Sequence, residues 1–300
     1  MSSAFVRHRY RHPQRSSSSM GPWLLALALV AGCERGSAPP EGDPPATPGE
    51  TPAGDAAPAE APAPQLPAAE EILAKAAEAM GGRKAIDAIE SFHYRGTIEL
   101  LGQNIRSDLH IWWQGGDFFM EQIVPGVGEM RAGKQGDEIW SDDPINDRRL
   151  LSGVEAEQHT WASCLLLAAD GERYFEEAKT IAERKIEGGK GAERLVYDVQ
   201  LTSKSGLTVT MSFDAETGLQ VGQTFEQITP MGKQPFEVRF EDYRDVEGVK
   251  IAFRQVIDAK FQQMVQVIDE VELNVEVDTS RFAYPRGSSD LVRQPAPQEG

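Results

Sequence analysis

Between residues 91 and 273 apolar side chains recur at every second position, in short segments divided by turns that contain glycine. In the first segment, Phe92, Tyr94, Ile98 and Leu100 alternate with His93, Arg95, Thr97 and Glu99. A period of two is the mark of a strand with one dry face. The segments 91–101, 104–114, 118–124, 129–132 and 138–141 form one run, and 180–187, 192–201, 207–213, 219–228, 236–243, 249–257 and 261–273 form another. Gly102-Gln103, Ser205-Gly206, Thr217-Gly218 and Glu247-Gly248 are typical of the breaks. Connections this short cannot hold the crossover of about a dozen residues that parallel strands require, so the pairing is antiparallel.

Three stretches follow a helical period instead. Residues 67–80 begin at Pro67, carry Glu70 and Glu71 in the first turn and stop at Gly81-Gly82. Residues 83–90 place Ile86 and Ile89 on one side, and 154–169 place Trp161, Cys164, Leu165 and Ala168 on one face. The class is therefore α+β: one large curved antiparallel sheet of about 11–12 strands, covered by about three helices.

The first run is apolar on both faces. Trp112 and Trp113 are neighbours on one strand and so point to opposite sides. Together with Ile111, Phe118, Met120, Met130 and Trp140 they predict a cavity on one face and a packed helix on the other, and these seven are the candidate ligand-binding residues.

The N-terminal part is of another kind. Residues 1–32 hold four Arg and no acid, and an apolar run from Pro22 ends in small residues. The run is too short to span a hydrocarbon layer and has the layout of an export signal. Val30-Ala31-Gly32-Cys33 resembles the bacterial lipobox. That resemblance implies cleavage before Cys33, acylation of Cys33 and a membrane anchor of two or three chains. Glu34, where Asp would signal inner-membrane retention, implies an outer-membrane lipoprotein facing the periplasm. Residues 33–69 follow as a tether: from 34 to 69 there are ten Pro, ten Ala and four Gly, a composition that cannot bury a core. Fully extended, it reaches about 110 Å at ~3.1 Å per residue. The folded domain is expected over 70–285, and 286–300 form a polar tail.

Composition excludes several functions. The net charge of −17 becomes −21 without the four Arg of the signal, which opposes nucleic-acid binding. Only Cys33 and Cys164 occur, so there is no disulfide framework. His93, His110 and His159 lack metal-ligand spacing, and no nucleophile elbow, zinc-protease helix or phosphate loop is present. No cofactor, metal or catalytic residue is predicted, and the chain is read as a non-enzyme.

Two motifs add a resemblance. Gly136-Asp137-Glu138-Ile139-Trp140-Ser141-Asp142-Asp143-Pro144 and the hairpin from Phe240 to Ile251 are similar to segments of the LolA/LolB-like periplasmic lipoprotein carriers and receptors. The likeness implies an unclosed half-barrel whose concave face holds acyl chains, and a lipoprotein or lipid as ligand. The Arg that those carriers place after the second strand has no counterpart in Trp112-Trp113-Gln114-Gly115-Gly116. The expected role is a membrane-anchored binding protein for envelope lipid or lipoprotein handling. The alternative is a non-catalytic protein-interaction or envelope-sensor module that uses the same fold to recognise an unknown protein partner.

Overall fold

A computed structural model describes residues 66–187, 193–229 and 232–286. The signal, Cys33 and most of the tether lie outside the described residues, as does the tail from 287. Thirteen strands make a single antiparallel sheet that does not close into a barrel. Strands β1 (Ser91–Leu100), β2 (Ile105–Gln114), β3 (Asp117–Val124), β4 (Gly128–Gln135), β5 (Glu138–Asp142) and β6 (Arg149–Leu150) run outward to one edge. Strands β7 (Phe175–Glu187), β8 (Glu193–Ser203), β9 (Thr208–Asp214), β10 (Gln220–Thr229), β11 (Gly232–Val246), β12 (Val249–Asp258) and β13 (Gln263–Leu273) run inward from the other. The twelve strands expected from alternation are all present, and β6 is added by a two-residue pairing with β5.

One ladder joins the halves: β1 pairs with β13 across about 170 residues of sequence. Its register shifts between Arg95 and Gly96. There the backbone passes so close that a Cβ on Gly96 would lie 2.2 Å from the Val267 carbonyl oxygen, a distance only glycine permits.

Because β6 and β7 lie at opposite edges, the chain between them must cross the sheet. It does so as α3 (Gly153–Ala162) and α4 (Leu167–Asp170). The single helix expected over 154–169 is thus broken at Ser163–Leu166, since the crossing has to bend to follow a concave surface. The N-terminal α1 (Ala69–Ala79) and α2 (Arg83–Asp87) pack beside α4, with α1 also touching β7 and β8. Ile72, Ala76, Ala77 and Met80 are the buried face of that pair's first helix and its cap.

The other face of the first meander is covered too, though not by a packed helix as the sequence suggested. The C-terminal segment returns as a 3₁₀ turn, Thr279–Phe282, and lays Phe282 against Phe119 and Trp140. Trp140 Nε1 donates to the Phe282 carbonyl at 2.8 Å. Gly133 makes room for this: a Cβ there would sit 2.6 Å from Trp140 Nε1.

Candidate functional site

Beneath the α3–α4 crossing lies a cavity of about 210 Å³. Its roof is the segment from Gln158 to Ala168, and its floor comes from β1, β2, β3, β10, β11, β12 and β13. Alternation decides which residues reach it. On β2, Leu109 and Ile111 face the cavity, and on β3, Phe118, Met120 and Gln122 do.

The seven candidate residues therefore separate. Ile111, Phe118 and Met120 line the cavity together. Trp113 and Met130 do not; Trp113 packs against the main core, stacked on Phe92 at 5.5 Å, and Met130 is buried. Trp112 and Trp140 belong to the opposite, convex face. There Trp112 stacks on His93 at 4.6 Å and on Phe119 at 5.7 Å, with the Arg281 guanidinium 4.2 Å above its ring. His110 lies in the same stack, 5.4 Å from His93.

The roof is lightly held. Neither α3 nor α4 has a side-chain cap at its N-terminus, although such caps stabilise a helix by about 1 kcal/mol. Instead, Gln158 spans to the backbone of β10: its amide donates to the Glu226 carbonyl at 2.8 Å and accepts from the Ile228 N–H at 2.7 Å. These positions lie beyond the end of the β9–β10 ladder, so the side chain takes the place of a missing strand. Trp161 wedges edge-on against Phe225 at 5.6 Å. At the far end, Arg83 reaches from α2 to the Asp170 carboxylate at 3.1 Å.

Among the described residues, no Asp, Glu, Lys or Arg lines the cavity. The titratable groups that do are held uncharged. Burial, with a smaller contribution from the Arg149 cation, lowers the His159 pKa to about 3. Burial pushes the Cys164 thiol up to about 11, far from the thiolate that a nucleophile needs. The Tyr94 and Tyr243 hydroxyls are likewise pushed up by burial and remain proton donors. Among the described residues, no group of three or more His, Cys, Asp or Glu is placed to hold a metal ion, and no helix is long and apolar enough to cross a membrane.

The glutamines were not foreseen. On β10 the cavity-facing alternation reads Gln223, Phe225, Gln227, and Gln220 precedes it at the register shift against β9. The signal was present as glutamine at every second position around one aromatic, but polar residues in an alternating strand are assigned by default to the wet side.

The sequence matches no protein-family model and no curated protein. Solved structures do match. A LolA superfamily protein from Nitrosomonas europaea superposes with a TM-score of 0.50 at 14% identity, covering 73% of this chain and 98% of that one. The fold is LolA-like. A DUF1329 family protein from Desulfovibrio piger gives a TM-score of 0.49 at 11% identity over 73% of this chain and 98% of its own. An outer membrane lipoprotein-sorting protein domain from Vibrio parahaemolyticus gives 0.45 at 12%, over 75% and 100%. In this LolA-like chain the unclosed sheet and the helical crossing are the parts that create the cavity.

Proposed function

We propose that this chain is a binding protein of the bacterial envelope that holds an acyl chain, or another extended apolar ligand, between the concave sheet and the α3–α4 roof. The observation that carries the reading is an uncharged cavity of about 210 Å³ in a chain of net charge −17. An apolar cavity of about 150 Å³ in a protein core already takes up benzene, whereas drug-sized ligands occupy roughly 300 Å³ or more. The space therefore fits a short alkyl segment as it stands, and a longer chain requires the weakly capped roof to move. Such a ligand needs apolar contact and no counter-ion, which is what this wall offers.

In this reading Cys33 carries the lipid anchor, residues 34–69 hold the domain away from the membrane, and the outer membrane is the site of attachment. The role is envelope lipid or lipoprotein handling without catalysis. Native mass spectrometry of the chain exported to a bacterial periplasm and purified without detergent tests it. A co-purified amphiphile of defined mass is expected. Protein carrying nothing, and unable to take up any lipophilic probe, would instead favour recognition of a protein partner by the same sheet.

A further inference from the structure

The polar part of the cavity wall says what kind of head group goes with the acyl chain; this inference rests on the ligand-holding reading above. Six glutamines reach the cavity from the strands: Gln122 on β3, Gln220, Gln223 and Gln227 on β10, Gln255 on β12 and Gln266 on β13. Gln223 accepts from Gln220 at 3.1 Å, which leaves its own Nε2 on the cavity side. Gln266 donates to the Tyr94 hydroxyl at 3.1 Å. Gln255 is half-buried and presents its side chain to the cavity. Gln223 and Gln266 are both more than nine-tenths buried.

An amide that faces a cavity offers both a donor and an acceptor to whatever fills it. An alkyl chain alone answers neither. A carboxylate or phosphate would accept from these amides, but among the described residues no Lys or Arg lines the cavity to balance its charge, and an ammonium would find no carboxylate there. An ester, amide or hydroxyl group meets the amides without bringing a charge. We propose that the cavity selects acyl amphiphiles whose polar group is uncharged, and that Gln223 and Gln255 determine this choice.

The test uses the whole chain with Cys33→Ser, loaded with a lipophilic fluorophore that is then displaced by decanamide, decanoate or decylammonium at pH 7.5. Probes of both signs matter, because the acidic surface by itself repels decanoate but attracts decylammonium. Decanamide should displace the fluorophore at least tenfold more effectively than either ion. Gln255→Met and Gln223→Met should each weaken decanamide about fivefold relative to the fluorophore measured on the same variant, with circular dichroism showing that the fold is intact. Equal displacement by all three probes, or decylammonium as the best, overturns the proposal while the ligand-holding reading stands. Failure of the fluorophore and all three probes to bind overturns that reading and this proposal with it.

Discussion

Acidifying the protein from pH 7 to pH 5 should weaken the fold through one imidazole. His159 sits in the roof, 6% exposed, with its pKa lowered to about 3 by desolvation first and by the Arg149 cation second. In the unfolded chain the same group titrates near 6.5. Between those two values the unfolded chain binds a proton that the folded one refuses, so stability rises with pH by about 1.4 kcal/mol per unit. The stability is complete above pH 6.5, drains away as the pH falls through the window and levels off below about 3. Over the whole window the loss is about 5 kcal/mol, and between pH 7 and pH 5 it is about 2 kcal/mol. Urea unfolding of wild type and His159→Gln at both pH values isolates the effect, since the acids contribute equally to both proteins. The stability difference between the two should shrink, or turn in favour of the variant, by about 2 kcal/mol at pH 5. Parallel pH dependence in the two proteins would refute the burial argument.

Other consequences can be checked separately. Gly96→Ala forces the β1–β13 ladder apart against the Val267 carbonyl and should cost about 1–3 kcal/mol by urea unfolding; an unchanged midpoint would contradict the close approach. Trp140→Phe leaves the buried Phe282 carbonyl without its donor, for a loss of about 1–3 kcal/mol and faster hydrogen exchange over Thr279–Phe282. If exchange there is unaltered, the convex cluster does not hold the C-terminal segment. Cys33→Ser should move the protein from the membrane fraction to the soluble one, and retention on membranes would remove the anchor from the account.

The strands were legible because a half-buried sheet writes its period directly into the sequence, from Phe92 to Leu273. What alternation cannot say is what lies over each face. Trp112, Trp140 and Ile111 all read as apolar positions of one meander, yet Ile111 meets the cavity while the two tryptophans meet Arg281 and Phe282, about 140 residues or more further along the chain. Nothing local to β2 or β5 announces that distant cover. The break in the α3–α4 crossing was hidden for a related reason: Trp161, Cys164, Leu165 and Ala168 all line the cavity, so the apolar spacing persists through the bend. The glutamine lining went unread because a side chain that is polar in composition is buried here beside neutral neighbours. Phe118 and Met120 share the cavity wall with Ile111 because all three are apolar and in phase across the β2–β3 ladder.

The central claim is that ligand is held on the concave face of β2, and placing a charge on each side of that strand tests it most directly. Saturable binding of a lipophilic fluorophore is measured for wild type, Ile111→Arg, Trp112→Arg and the cavity-filling Met120→Trp, with circular dichroism confirming each fold. An unpaired Arg in the cavity costs several kcal/mol, a large share of the roughly 8 kcal/mol behind a micromolar affinity. Ile111→Arg and Met120→Trp should therefore lose binding, while Trp112→Arg, on the convex face, should keep it. Binding retained in both cavity variants, or abolished only by Trp112→Arg, would place the ligand elsewhere and contradict the account.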